Sequence, residues 1–557
     1  MKYFQKFSGS WWLYDCLLLT AIVVFSSVLY INRLGFYSDD WSFLGIFVNT
    51  QDQSVLGIFY SIHGNHDMRP IQSLLLAILY RAFKLNPFGY HLVNLLLITA
   101  STLVFYFLLR KLKFNNLIAL TVSLVYVLLP HYSSEHFWIL LIQTNFSTLF
   151  YFLSLIADLK SLESNAIIYK TIGTICLLLS LFAYETFLPM AFLSLLIIGY
   201  KIWRIREKPL MPIVWHCSIT LPALAFVIWY KAVTTQRMDT NRNFGEALKE
   251  NLLMFFDFGT YPGWGMNIRQ ALLINFYDHG LALPRVIWRI LNYHFSLPVL
   301  MLSLFLSFII FAYIYLRCRI ELKLLSARQF ITLIVAGFVV FWFGYAIFLL
   351  SETIQLTTTG ITNRTSHAAA IGVAFISIGI FGLVNLILPR ALGQICFSIL
   401  IAMLCFCGCL IINTHALFWE TAYEKEQQIL TQFKNQFENF PTENTVFLDG
   451  ICPYDGPAIV FESDWDFAGA LQILYLNGEI RADVIKNNLM IRDDGVSTFM
   501  YGREKKYYYK DNLLIYNLAD KRTYLIRDET GAKEYMQQRI STNACPEGRD
   551  GTGLEIY

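Results

Sequence analysis

The sequence predicts a polytopic α-helical membrane protein of about eleven transmembrane helices with a C-terminal extracytoplasmic α/β domain. Three observations carry that fold class. Of 557 residues, 56% are hydrophobic and only 15% are charged, and the mean hydropathy is +0.49, on the apolar side of soluble globular chains. Apolar runs of spanning length recur as far as about residue 414. Beyond that point polar and apolar residues mix. The expected domains are a transmembrane domain over 1–414, with long outer connections at 32–88 and 232–296, and an α/β domain over 415–557.

A hydrocarbon core about 30 Å thick takes about 20 apolar residues of helix. On that measure spans fall at 11–31, 89–109, 116–132, 138–157, 168–183, 187–203, 212–231, 297–316, 329–350, 367–387 and 393–413. The first, WWLYDCLLLTAIVVFSSVLYI, is long for a signal peptide and runs into NRLGFYSDD without a small-residue cleavage site, so it is read as a retained helix. With a cytoplasmic N-terminus, Lys and Arg residues such as Lys2, Arg110, Lys111, Arg204, Arg317 and Arg319 gather on cytoplasmic loops, and the short outer turns hold almost none. An odd number of spans then puts the C-terminal domain outside. The net charge of +3 is spread over those loops and forms no basic tract, which excludes nucleic acid as a partner.

The connection 32–88 contains SVLGIFY and IQSLLLAILYRAF, too short to span and suited to helices in the interface plane. The connection 232–296 is mixed in charge and reads as a cap on the outer surface. In the tail, LFWETAYEKEQQILTQFKNQFENF reads as a helix, NTVFLDG and PAIVF as strands, FAGALQILYLNG as a helix, and KYYYKDNLLIYNL and TYLI as strands. Eight of the ten cysteines lie in or beside apolar runs, where Cys behaves as a small hydrophobe. Cys452 and Cys545 fall in the polar tail, and outside the cytosol they make a disulfide candidate.

The chemistry-bearing residues cluster at the predicted outer face. GFYSDDWSFL puts Asp39 and Asp40 side by side at the end of the first span. Adjacent carboxylates suit general-base work, because their repulsion raises one pKa. The alternative is a helix-end cap with Trp41 in an interfacial aromatic belt, and local context alone favours it. Further on, HGNHDMRPIQ supplies Arg69 before Pro70. A guanidinium there recognises phosphate bidentately, or else snorkels to headgroups. His63, His66 and Asp67 lack metal-site spacing, so a solvated loop is expected there, and His66 is counted with the cavity. Glu135, Glu185 and Arg364 are ionisable groups at membrane depth, which default to functional hypotheses, and Gln143 is a candidate for hydrogen bonding within the bundle. P-loop, GxGxxG, HExxH and GxSxG motifs are absent from the sequence.

An acidic pair after the first span, two interfacial segments, a basic residue before Pro, and then FGYHLVNLLLITASTLVFYFLLRKL resemble the GT-C superfamily of polytopic glycosyltransferases over residues 1 to about 415. Protein O-mannosyltransferases and the aminoarabinose transferases of lipid A are the nearest in pattern, and YETFLPMAFLSLL resembles their acid-plus-Pro stretch. The resemblance implies that Asp39 stands at the first acid of an Asp-Glu motif, the base for the acceptor hydroxyl. Asp40 stands at the Glu position, a departure from the motif. It implies that Arg69 matches the Lys or His before Pro and lies at the lipid phosphate, and that Arg364 helps hold the donor phosphate. The implied activity is inverting transfer of a sugar from a polyprenyl-phosphate donor to a hydroxyl acceptor, a cell-surface glycan, lipid or protein. It would take place at the outer face of a bacterial inner membrane, with no cofactor required and a divalent metal optional. A lipid-linked-sugar flippase or transporter would show charges deep in several spans and helices broken in matching halves. A non-catalytic glycan-binding scaffold is the third possibility.

Overall fold

The structure is a computed structural model that describes residues 11–63, 67–164, 167–205, 210–238, 249, 252–253, 255–256, 267–321, 326–350, 356–441, 444–486, 489–500 and 503–539. Among these, eight helices are long and apolar enough to cross a membrane: Pro87–Lys111, Ile139–Ser164, Glu185–Trp203, Ile213–Thr234, Leu297–Glu321, Ala327–Leu349, Ile361–Ile387 and Arg390–Gln436. The other three expected positions hold shorter apolar helices, Trp11–Ser27, Asn116–Leu128 and Ile167–Ala183. The ends of the last two have local causes. Pro130 follows Asn116–Leu128 and forces Leu129 into extended backbone. Tyr184, extended at φ −155° and ψ 134°, separates Ile167–Ala183 from the next helix, so AYETFLP is a break between two helices.

In the first connection the two short apolar pieces are helices, Val55–His63 and Pro70–Phe83, preceded by a third, Asp39–Asn49. In the second, Ile268–Leu272 leads into a π-helical turn, Leu273–Leu281, and then Leu283–Tyr293. The last span and the tail helix are one element, Arg390–Gln436, of 47 residues. At 1.5 Å per residue it is about 70 Å long. No Gly or Pro interrupts it after Gly408, so nothing in the chain stops it at the predicted boundary near 414.

The C-terminal region is α/β. Strands Ala482–Val484, Thr445–Asp449 and Leu513–Asn517 run parallel in that spatial order, with Arg522–Ile526 antiparallel at the edge. The helix Asp464–Tyr475 lies in the crossover between Thr445–Asp449 and its parallel neighbour Ala482–Val484, as parallel pairing requires. A second sheet, Met490–Ile491, Gly495–Met500 and Arg503–Tyr508, is an antiparallel meander. Of PAIVF only Ala458 and Ile459 pair, in a hairpin with Tyr454 and Asp455. Cys452 is disulfide-bonded, Cys545 lies outside the described residues, and the other eight cysteines are free.

This region shares one hydrophobic core with the first connection. Phe36, Trp41 and Phe47 pack with Trp419, Phe433, Phe461, Phe467 and Leu471. Asp39–Asn49 and Asp464–Tyr475 meet backbone to backbone, because both have glycine at the crossing. A Cβ on Gly469 would stand 2.4 Å from the Trp41 carbonyl oxygen, and one on Gly45 would stand 3.1 Å from Gly469 Cα. The expected belt position of Trp41 is corrected: it is 5% exposed, covered by Phe461 at 6.4 Å between ring centroids.

Candidate active site

The turn ahead of Asp39 is fixed from three sides. The Tyr37 hydroxyl donates to the Trp419 carbonyl at 2.8 Å and accepts from Gly35 N–H at 2.9 Å. Trp138 Nε1 donates to the Tyr37 carbonyl at 3.1 Å, and His91 Nε2 sits 3.0 Å from the Gly35 carbonyl. Ser38 then takes φ 48° and ψ −122°, a conformation that normally calls for glycine, and Asp39 begins the helix. Carboxylates in a first turn are favoured by the helix dipole.

The two acids have different surroundings. Asp40 is buried and accepts from Tyr37 N–H at 3.0 Å and Leu140 N–H at 2.9 Å. Burial pushes its carboxyl well above the usual range, against the pull of the Tyr37 N–H, and the charge of Asp39 pushes the same way. Asp39 is half-buried and makes no hydrogen bond or ion pair with any described residue. Burial raises its carboxyl too, and the guanidinium groups of Arg364 and Arg69 pull it part of the way back. Asp39 is therefore the available carboxylate of the pair, and Asp40 is committed to the backbone.

Arg69 is the residue before Pro70, which starts its helix at the N1 position that proline suits. Its guanidinium grips Glu185 with two hydrogen bonds, Nε to Oε2 at 3.1 Å and Nη2 to Oε1 at 2.5 Å, and lies 4.6 Å over the Tyr184 ring. Lys231 joins the same carboxylate, Nζ to Oε2 at 3.1 Å, and donates to the Met68 carbonyl at 3.0 Å. Arg364 sits in the 3₁₀ turn Ile361–Ser366, 5.1 Å over the Trp138 ring, and pairs with no described carboxylate. Arg69 and Lys231 thus share one carboxylate, Glu185, while Arg364 acts on Asp39 without an ion pair.

Glu135 is fully buried, its Oε2 2.6 Å from His367 Nδ1, and His367 Nε2 faces Thr148 Oγ1 at 2.6 Å and the Tyr126 hydroxyl at 3.1 Å. Burial raises the Glu135 carboxyl, and its contact with His367 and the guanidinium of Arg364 oppose that. Asp39, Arg69, Glu135, Glu185 and Arg364 are thereby linked through shared neighbours. Gln143 is buried in the bundle, its side-chain oxygen accepting no hydrogen bond. His66 lies outside the described residues. Asp67 uses its carbonyl to accept from the Tyr230 hydroxyl at 2.8 Å. Among the described residues no three His, Cys, Asp or Glu side chains form a group that could hold a metal ion.

Sequence reasoning missed Tyr184, Trp138, His367 and Lys231. Lys231 had a signal, a lone cation at the predicted outer mouth of a span where neighbouring outer turns carry almost none.

No family model and no curated protein matches the sequence. Solved structures do resemble it. ArnT from Cupriavidus metallidurans bound to undecaprenyl phosphate is 11% identical, with 84% of this chain and 89% of that chain covered and a TM-score of 0.35. The same protein in the apo state is 13% identical over 85% and 86%, with a TM-score of 0.37. The Archaeoglobus fulgidus oligosaccharyltransferase in the apo form is 12% identical over 88% of this chain and 65% of that chain, with a TM-score of 0.40.

Proposed function

We propose that this chain is a membrane glycosyltransferase of the GT-C kind, moving a sugar from a polyprenyl-phosphate donor to a hydroxyl acceptor with inversion at the anomeric carbon, at the outer face of the membrane. The observation that carries the reading is Asp39: a half-buried carboxylate without a partner among the described residues, with two guanidinium groups, Arg364 and Arg69, acting on it.

In the proposed reaction Asp39 takes the acceptor hydroxyl's proton as that oxygen attacks the anomeric carbon from the face opposite the phosphate. The new carbon–oxygen bond forms as the bond to the phosphate oxygen breaks, and the phosphate departs with the electron pair. Its charge goes from one negative toward two, so fixed cations bind the leaving group more tightly in the transition state than in the donor. Arg364 is suited to this because no described carboxylate forms an ion pair with it. Arg69 is oriented by Glu185 and Tyr184, and Lys231 leaves that pair with net positive charge. No cofactor enters the scheme. Residues 1–414 would form the donor site and residues 415–557 the acceptor side.

The test uses purified full-length protein in nanodiscs with a radiolabelled undecaprenyl-phosphate hexose. Asp39→Asn should lower sugar transfer by about 10²- to 10⁴-fold, the usual share of a general base, while undecaprenyl phosphate still binds. Transfer by Asp39→Asn at the wild-type rate would overturn the reading.

A further inference from the structure

The C-terminal region contains a cavity of about 270 Å³ that the proposed chemistry does not use. Its walls are of two kinds. Trp465, Phe499 and Met500 supply apolar surface. Asp464, Asp483, Thr498 and Lys505 supply donors and acceptors. Most of the charges are already met within the region: Lys505 pairs with Asp464, Glu504 with Arg492 at 2.5 Å, Asp483 Oδ2 accepts from the Thr498 and Tyr507 hydroxyls, each at 2.7 Å, and Glu462 accepts from the Tyr454 hydroxyl; Lys486 lies 3.0 Å from Met500 Sδ and pairs with no described carboxylate. A cationic ligand would have to break one of these pairs, and the lining opposes an anion, with Glu462, Asp464, Asp483 and Glu504 against Lys486 and Lys505. A neutral ligand with an apolar face and a rim of hydroxyls would not, since it could stack on an aromatic ring and exchange hydrogen bonds with polar groups already held in place.

The cavity also has a definite relation to Asp39. Trp465 is in the first turn of Asp464–Tyr475, and four residues on, about 6 Å along the axis, Gly469 lies against the Trp41 backbone. Trp41 is two residues from Asp39 in the same helix. A ligand in the cavity therefore rests on the element that is packed directly against the helix carrying Asp39.

We infer that this cavity is a binding site for a neutral saccharide ring and that it anchors the acceptor glycan. The acceptor role rests on the glycosyltransferase reading above; the binding itself does not. Trp465 and Phe499 are the specificity-determining aromatic surfaces, and the Asp483–Thr498 pair takes the hydroxyl rim.

The experiment is saturation-transfer NMR on the full-length protein in nanodiscs, with methyl hexopyranosides and their disaccharides as probes. Wild type is expected to show transfer to the ring protons of at least one probe. Trp465→Ala should abolish it, and Asp39→Asn should keep it. Phe499→Ala is the second variant, read instead if Trp465→Ala fails to elute as a monodisperse species. In the transfer assay Trp465→Ala should raise the acceptor KM tenfold or more, with undecaprenyl phosphate binding unchanged. Absence of saturation transfer to every probe in wild type, or its persistence in both aromatic variants, overturns the site. If the probes bind but Asp39→Asn transfers sugar normally, the saccharide site stands and the catalytic reading falls.

Discussion

At its start, the helix Trp11–Ser27 carries Asp15, fully buried and accepting from the Tyr106 hydroxyl at 2.7 Å, the Tyr313 hydroxyl at 2.7 Å and Arg317 Nη1 at 2.5 Å. Beyond its other end, Asp39 is half-buried and accepts from no described residue, although two guanidinium groups act on it. The cations differ in the same way. Arg317 is held by Asp15 and by Glu321 at 2.6 Å and lies 4.7 Å over the Trp11 ring, whereas Arg364 has an aromatic platform and no described counter-ion. A buried charge survives in a fold when its partners are complete. An ionisable group left incomplete in a partly desolvated place marks a site that something else completes. The residue types are the same at both ends, and the state of their bonding separates structure from function.

Two substitutions break that comparison in opposite directions. Asp39→Asn is expected to lower transfer by about 10³-fold and leave the melting temperature within a few degrees of wild type, because it removes no described hydrogen bond. Asp15→Asn should do the reverse. It leaves Arg317 buried with only Glu321 as a carboxylate partner, at a cost of about 3 kcal/mol, and turnover per folded molecule should be unchanged. Thermal melts and rates on the same two preparations check both. If Asp15→Asn lost turnover while keeping its melting temperature, the division between the two ends would fail.

The pH–rate profile sharpens the contrast. Burial raises the Asp39 carboxyl, so the acid limb of transfer should lie above the ordinary aspartate range near pH 3.9. As pH falls through that limb the base becomes protonated, and the rate drops by about tenfold per unit. Arg364 is the stronger of the two cations that lower the Asp39 pKa. Arg364→Gln removes that pull, so the limb should move to higher pH, while Arg317→Gln should leave it in place. A limb unmoved by Arg364→Gln would mean that another group sets it.

What the sequence made legible follows from contrast. The helices stand out because apolar runs are long, and Asp39, Arg69, Glu185 and Arg364 stand out because charge is scarce among them. Tyr184 and Trp138 carried no signal, since aromatics make up 16% of the chain and one more beside a polar residue says nothing. The separate fates of Asp39 and Asp40 depend on an N–H at Leu140, 100 residues away. Local reading cannot supply that partner. The same holds for Trp41, whose interfacial composition was outweighed by Phe461 and Gly469 closing over it. The continuity of the last span with the tail helix was hidden for a different reason: a hydropathy change ends a span without ending a helix.

The smallest expected effect concerns Ser38, the residue that aims Asp39. Its φ of 48° with ψ −122° is strained for a side chain with a Cβ, by about 1–3 kcal/mol. The hydroxyl makes no cap hydrogen bond in return. Glycine adopts this conformation freely but loses about 0.5–1 kcal/mol more chain entropy on folding. Ser38→Gly should therefore stabilise the protein by roughly 0–2.5 kcal/mol, and Ser38→Ala, which keeps the Cβ, should change stability little. The effect on transfer is expected to have the other sign. A glycine before Asp39 frees the turn that Tyr37 and Trp138 hold, and the carboxylate spends less time facing Arg364, so the rate should fall several-fold while the melting temperature rises. If Ser38→Gly melted below wild type, the turn would not be strained, and the fixed aim of Asp39 would have to come from the hydrogen bonds that hold Tyr37 and Asp40.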